Sequence, residues 1–301
     1  FFKKIRLFNS IGKFDILFIQ RKRFAFPWLQ YIRKSAKHIV YDFDDSVMYR
    51  NSKAKRPESK SRTRKFKNMI HSADFVIAGN EFLMRKTIPY RKEVITIPSP
   101  IDMNLYSQKN YSEEKETVTL GWIGAHGSIH YLEKMRSLFE ALGAKYHNVR
   151  PKIVCDIFFD CDNMVVEKKQ WNEKDEVKDI QSFDIGLMPL IDDPWSHGKC
   201  GLKILQCLAA GVPVICSPFG INREIVEDGV QGLWANSQDE WREKLEILIN
   251  DKVLRERMGR EGRAKVSRDY SVAKHAPRML NVFRRLLNGS YNEPFKKEAT
   301  K

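Results

Sequence analysis

His197-Gly198-Lys199-Cys200-Gly201-Leu202-Lys203-Ile204-Leu205-Gln206 leads into Ala210-Gly211-Val212-Pro213-Val214, and this stretch decides how the chain is read. A loop bearing glycine and lysine feeds a short helix over residues 202–210. Gly211 stops that helix, and residues 212–216 follow as a buried strand. A helix N-terminus beside lysines is a ready site for an anion, most often a phosphate. Gly121-Trp122-Ile123-Gly124-Ala125-His126-Gly127-Ser128 makes a second strand-to-helix turn of the same form. Two such turns in one α/β region point to a diphosphate held between them.

Outward from this stretch, strands are expected at 117–123, 153–158, 184–190, 212–216 and 229–234. Helices are expected at 131–145, 174–182 and 202–210, with a short one at 224–226, and residues 239–287 read as helical throughout. Upstream, the runs at 15–19, 39–41, 75–78 and 94–97 are short, apolar and rich in branched residues, as buried parallel strands are. Strands alternating with helices imply parallel sheets covered on both faces. Residues 50–68 read as a basic exposed loop entering a helix, and residues 107–115 as a linker. The 301 residues divide into an N-terminal domain over 1–110, a C-terminal domain over 111–270, and a last helix and tail over 271–301. A doubly wound domain opens on a strand and a Gly-rich turn. None precedes Asp15, so the first domain either lacks its first strands or is unusually small.

No apolar run reaches the roughly 18 residues of a membrane span. Residues 1–10, FFKKIRLFNS, are too short and too basic for a secretory signal. Five cysteines (Cys155, Cys161, Cys200, Cys207, Cys216) without CxxC spacing fit buried thiols in a reduced, cytoplasmic protein, and argue against a disulfide framework or a zinc site. Charge is uneven: residues 1–110 hold 24 Lys+Arg against 9 Asp+Glu, whereas residues 111–301 hold 29 of each. An excess confined to the first third points to an anionic partner there, whether a membrane leaflet, an acidic polymer or nucleic acid; solvated lysines without a partner are the plain alternative.

Ser72-Ala73-Asp74-Phe75-Val76-Ile77-Ala78, Ile97-Pro98-Ser99-Pro100-Ile101-Asp102 and Leu120-Gly121-Trp122-Ile123-Gly124, with Asp184-Ile185-Gly186-Leu187-Met188-Pro189-Leu190 and the whole of residues 198–232, resemble the retaining glycosyltransferases of family 4. The similarity covers most of the chain and is densest over 117–270. It implies an α/β, GT-B-like fold, two Rossmann-like domains with parallel sheets facing each other across a cleft, here with the N-terminal domain incomplete. By the resemblance, the C-terminal domain holds a nucleotide-sugar, the N-terminal domain holds the acceptor, and residues 272–287 form a helix crossing back.

The chain departs from the family at three places. The family carries a Glu, seven residues and a second Glu before the small-residue-Gly-Pro turn; here these positions are Gly198 and Gln206. A Gln still hydrogen-bonds ribose hydroxyls through its amide, but without charge. The family's Arg and Lys near the first Gly-rich turn are replaced by His126 and Ser128, which leaves phosphate contacts to backbone N–H groups and Lys199. Asp44, flanked by Asp42 and Asp45 in Val40-Tyr41-Asp42-Phe43-Asp44-Asp45-Ser46, stands where family members often have a His. Three acids so close are costly to bury unpaired, so they are expected to face the cleft or meet cations; capping of a helix is the alternative for Asp45.

The resemblance therefore implies a metal-independent, retaining hexosyltransferase, with a nucleotide-diphosphate sugar as donor substrate and no cofactor. Its acceptor would belong to a surface polysaccharide or glycolipid. Asp44, Lys199 and Lys203 are the catalytic candidates, and the two lysines, four apart, would project from one helical face. Gly124, Ala125, His126, Gly127, Ser128, Pro189, His197, Gly198, Cys200, Gly201, Gln206, Gly220 and Glu224 are the donor-binding candidates, with ordinary capping as the alternative for Glu224. Expected partners are the donor, a sugar or lipid-linked acceptor, and an anionic membrane surface met through residues 1–110. The expected place is the cytoplasm, peripheral at the inner face of the cell membrane. Two other classes compete. A nucleic-acid binder using residues 50–67 leaves the Gly-rich turns without a role. A non-catalytic relative is prompted by Gly198 and Gln206.

Overall fold

The computed structural model describes residues 10–113 and 115–289. They divide into two compact units: residues 10–99, 193–200 and 273–289, and residues Pro100–Asp192 with Gly201–Val272. The N-terminal stretch read against a signal peptide and the tail beyond residue 289 lie outside the described residues.

The chain enters the first unit through β1 (Ile16–Gln20), α1 (Phe26–Ser35), β2 (His38–Phe43), α2 (Lys60–Ser72), β3 (Phe75–Ala78), α3 (Glu81–Thr87) and β4 (Val94–Thr96). All pairings are parallel and the sheet order is β1-β2-β3-β4. Right-handed crossovers between neighbouring parallel strands put α1, α2 and α3 on one face of the sheet. Strand alternation then sorts the core: Ile39, Tyr41 and Phe43 pack with Leu29, Ile32, Phe66 and Met69, while Val40 turns to the other face with Phe75, Ile77 and Ile97. α3, which lacks a long apolar period, starts where the Asn80 side chain accepts the Leu83 N–H at 2.9 Å.

The second unit runs β5 (Val118–Ile123), α4 (Ile129–Glu133), α5 (Arg136–Lys145), β6 (Val149–Cys155), β7 (Glu167–Gln170), α6 (Glu176–Gln181) and β8 (Ile185–Met188). A short helix, α7 (Pro194–His197), belongs to the first unit. The second unit resumes with α8 (Leu202–Ala209), β9 (Val214–Cys216), α9 (Asn222–Ile225), β10 (Gly232–Trp234), α10 (Gln238–Asn250) and α11 (Lys252–Asp269). Its parallel sheet has the order β10-β9-β8-β5-β6-β7. The order reverses between β5 and β8, so their crossover helices cover opposite faces. The carboxyl ends of these two strands flank the crevice where open α/β sheets bind ligands. The last helix, α12 (Val272–Leu287), groups with the first unit, and its Val282 and Leu286 close the face of that sheet opposite α1 and α2.

Several expected elements differ in extent. The helix foreseen over 131–145 breaks at Lys134 and Met135, and β6 starts at Val149, four residues earlier than read. The long C-terminal helix is three. Ser237 and Glu240 form a capping box on α10, and Asp251 caps α11 by accepting the Leu254 N–H at 2.8 Å. β7 was not foreseen, because Glu-Lys-Lys-Gln has no apolar side chain. It forms as an edge strand whose Glu167 meets the buried Lys152 of β6 at 2.9 Å, and the same ammonium reaches Asp179 at 3.2 Å.

Residues 107–113 are no linker. Lys109 Nζ sits 2.9 Å from Asp184 Oδ1 and donates to the Phe183 carbonyl at 2.6 Å, and the Tyr111 hydroxyl donates to the Gly211 carbonyl at 2.8 Å. A polar-looking segment is thereby fixed into the second unit by a buried ion pair. All five cysteines are free, and Cys155, Cys200, Cys207 and Cys216 are buried. No helix among the described residues is long and apolar enough to cross a membrane.

Candidate functional site

In the second unit the turn after β5 is closed largely on itself. The Gly124 N–H donates to the Val154 carbonyl at 3.0 Å, Ser128 N–H to the Ala125 carbonyl at 2.8 Å, and His126 N–H to Asp156 Oδ1 at 2.7 Å. The His126 ring also meets Asp156 Oδ2 at 2.6 Å, and this bond holds the Asp156 carboxyl down to about 2. The amides of Gly124, His126 and Ser128 are thus engaged within the unit.

The cation at the turn is Lys203. Its Nζ lies 3.0 Å from Ser128 Oγ and 4.1 Å from the ring centroid of Trp122, a buried side chain. A Cβ at Gly124 would collide with this ammonium, so glycine keeps the slot open. Gly201 is left-handed, with φ +67°, and turns the chain into α8.

One turn further along α8, the Gln206 amide donates to Glu176 Oε1 at 2.7 Å and to the Tyr106 hydroxyl at 3.1 Å. Trp171, half-exposed just past β7, donates its indole N–H to Glu176 Oε2 at 3.0 Å. Burial pushes the Tyr106 phenol up, beyond its ordinary range. Glu176 thus sets a carboxylate next to Gln206. Sequence reasoning missed Glu176, Trp171 and Tyr106. The signal was Trp171 directly after a strand, but β7 itself was hidden by its polarity.

The remaining candidates of this unit are spread around β8 and β9. Pro189 is buried just beyond β8, and the next residue, Leu190, donates its N–H to Ser217 Oγ at 2.9 Å. Gly220 has φ +54° at the start of the α9 turn. Glu224 is exposed in the first turn of that four-residue helix.

His197, Gly198, Lys199 and Cys200 fall in the first unit, with Asp44. Asn80 Nδ2 donates to the His197 carbonyl at 3.1 Å and the Lys199 carbonyl at 2.9 Å, and Ser46 Oγ donates to the Pro194 carbonyl at 2.7 Å. These bonds fasten the loop to the segments that follow β2 and β3. A Cβ at Gly198 would strike Ser46, so the packing here takes glycine. Cys200 is a core residue: its Sγ donates to the Asp44 carbonyl at 3.1 Å, and burial holds the thiol well above its usual range. Cys200 thus packs in the core of the first unit. The His197 ring stacks on Phe82 at 5.7 Å, and Lys199 Nζ lies 5.6 Å from the Trp195 ring centroid. Lys199 precedes α8, so it does not share a helical face with Lys203, contrary to the four-residue spacing.

The three acids after β2 meet Arg21. Its Nε is 3.1 Å from Asp44 Oδ1, and its guanidinium also bonds Asp45. Gln20 Nε2 donates to Asp42 at 3.0 Å. Asp44 and Asp45 precede no helix, so pairing rather than capping explains them. Burial, with Asp44 adding repulsion, pushes the Asp42 carboxyl up to about 6 from 3.8. Burial also raises Asp45, against the pull of Lys199 and Arg21. Folding thus favours protonated Asp42, and the stability from this group is full below about pH 4 and lost as pH rises towards about 6. Asp42→Asn is expected to stabilise the protein by about 1–2 kcal/mol at pH 7–8, and by nothing at pH 4. Thermal melts across that range measure it. Among the described residues, no group of three or more His, Cys, Asp or Glu is placed to hold a metal ion.

Residues 165–265 match the family model described as glycosyl transferases group 1. None of the curated proteins matches the chain. Among solved structures, a sucrose-phosphate synthase from Thermosynechococcus elongatus is 13% identical with a TM-score of 0.73, over 96% of this chain and 77% of that one. HepE from Anabaena, in complex with UDP and glucose, is 15% identical with a TM-score of 0.71, over 93% of this chain and 80% of that one. A UDP-forming α,α-trehalose-phosphate synthase from Burkholderia xenovorans is 11% identical with a TM-score of 0.67, over 94% and 78%. With its two parallel α/β sheets, the protein therefore has the fold of the GT-B glycosyltransferases, and over residues 165–265 it is similar in sequence to glycosyl transferases of group 1.

Proposed function

We propose that the protein is a nucleotide-sugar glycosyltransferase whose donor lies along the crevice of the second unit. The observation that carries this reading is the alignment of three groups along α8 and its neighbours: Lys203 at Ser128, Gln206 one turn later, and Glu176 joining Gln206 to Trp171. A diphosphate at Lys203, ribose hydroxyls at the Gln206–Glu176 pair and a base against the Trp171 ring take these groups in order. Transfer breaks the bond between the sugar C1 and the diphosphate oxygen. Negative charge then grows on the departing diphosphate, and an ammonium already fixed beside it stabilises that charge most in the transition state.

Retention of configuration, counter-charge from lysines rather than a metal ion, and an acceptor from a surface polysaccharide or glycolipid are parts of this proposal that rest on the family resemblance. So do the catalytic roles of Asp44 and Lys199. The match of residues 165–265 to glycosyl transferases group 1, and the UDP held by HepE, support the donor class.

The test is calorimetric titration with UDP, GDP, ADP and CMP, followed by transfer and hydrolysis assays with sugars on the best nucleotide. Glu176→Gln is expected to weaken nucleoside diphosphate binding about 10–100-fold, while leaving inorganic pyrophosphate binding within about twofold. Equal loss for both ligands would move the ribose elsewhere. A binding protein without turnover is the second reading, favoured by the filled space at Gly198. Tight UDP binding with no transfer or hydrolysis from any donor would establish it.

A further inference from the structure

Two guanidiniums of the first unit are gathered on one short segment with no acid to pair them. Arg23, just past β1, donates to the Val47 carbonyl. Arg62, in the first turn of α2, donates to the Tyr49 carbonyl at 2.9 Å. Both are thereby anchored on the residues that follow β2. Both are half-buried, and among the described residues neither is ion-paired with a carboxylate. Asp42, Asp44 and Asp45 are engaged by Gln20 and Arg21 instead. Burial and the charge of Arg62 together hold the Arg23 guanidinium below its ordinary range. A donor without an acceptor lies nearby. Tyr41 is wholly buried and stacked on Phe43 at 5.4 Å, and its hydroxyl has no hydrogen-bond partner. Of the charged groups that act on this phenol, Arg23 acts most strongly. An unpaired buried hydroxyl is costly, and so is a half-buried cation beside another cation. One oxyanion relieves both.

We propose that Arg23, Arg62 and Tyr41 form a binding site for a phosphate group. The planar fork of a guanidinium fits phosphate oxygens, and bonds to it are charge-assisted. Two forks match the nearly two negative charges of a phosphate monoester, where a single carboxylate brings one. The site lies past the carboxyl ends of β1 and β2, the rim of an open parallel sheet where ligands bind, and Asp44 stands on the same rim. Lys53, Lys55 and Arg56 are exposed on the loop that the Arg50 N–H closes onto the Pro57 carbonyl at 2.8 Å, and they widen the positive field around it. On the transferase reading given above, the phosphate belongs to the acceptor; the site itself does not depend on that reading.

Inorganic phosphate is titrated calorimetrically into the full chain carrying Lys203→Ala, so that the ammonium proposed for the donor is absent. In that background Arg23→Gln or Arg62→Gln is expected to weaken phosphate binding about 10–100-fold, and Tyr41→Phe about three- to tenfold. Acetate should bind at least about tenfold more weakly than phosphate. Tyr41→Phe removes no existing bond, so it should melt like its parent without ligand, which separates loss of the site from loss of fold. Phosphate should raise the Tm of the parent and not that of either Arg variant. With Lys203 intact, the Arg variants should bind UDP within about twofold of the parent, one charged bond being worth far more than that. Absence of phosphate binding overturns the proposal, as does binding that none of the three substitutions alters. Acetate bound as tightly as phosphate overturns the assignment to phosphate. Parallel loss of UDP and phosphate in the Arg variants merges this site with the donor's and overturns it too. Failure of every nucleotide to bind sinks the donor reading alone, since the phosphate titrations decide this site by themselves.

Discussion

Lys203→Ala is expected to lower kcat/KM for transfer from a nucleoside diphosphate sugar by about 10²–10³-fold, the loss seen when one preorganised charge-stabilising group is removed. The ammonium is fixed before any ligand arrives: Ser128 Oγ holds it at 3.0 Å, the Trp122 face lies beneath it at 4.1 Å, and the missing side chain of Gly124 leaves it room. Little reorganisation is then needed as charge develops on the leaving group. Lys203→Met keeps the stem over Trp122 and removes only the charge, so it should lose nearly as much activity as alanine with less effect on melting. Steady-state kinetics, together with calorimetry of UDP binding, separate the two contributions. Unaltered kcat/KM in the alanine variant would place the diphosphate away from α8.

Gly198→Glu is expected to harm the protein. The new Cβ would meet Ser46, lying within 3 Å of its Cβ and backbone nitrogen. Relief requires moving the Asp193–Cys200 loop, with loss of the Ser46 bond to the Pro194 carbonyl and of the two bonds from Asn80. Overpacking of this kind costs about 1–3 kcal/mol, and each broken buried bond about 1 kcal/mol. A fall in Tm of roughly 5–10 °C is expected. Ser46→Gly introduced together with Gly198→Glu should recover part of it. Thermal unfolding of the single and double variants measures this directly. A single variant that melts like the parent would show that the loop yields easily.

Much of the fold was legible because apolar runs report burial. β3 was read to the residue from Phe-Val-Ile-Ala, and α8 to within one residue from its glycine boundaries. β7 was illegible for the converse reason: its stability comes from Lys152 and from pairing with β6, neither of which marks Glu167–Gln170 locally. The same holds at the candidate site. Lys203 and Gln206 stand out in the sequence because glycines frame their helix. Glu176 and Trp171 do not, because their contacts arise only when α6 and the end of β7 come beside α8. Lys199 and Cys200 were grouped with the donor loop by their place in the chain. The first unit claims both through Asn80 and Asp44, contacts more than a hundred residues distant in sequence.

The eight residues Asp193–Cys200 also set how the protein can be dissected. Neither unit is one continuous piece, since the second is interrupted after Asp192 and resumes at Gly201. A fragment cut at Pro100 and Val272 would carry α7 without Ser46 and Asn80 to receive it, exposing Cys200 and unpaired carbonyls. An independently expressed second unit is better obtained by deleting this octapeptide and joining β8 to α8 through a short glycine-serine tether.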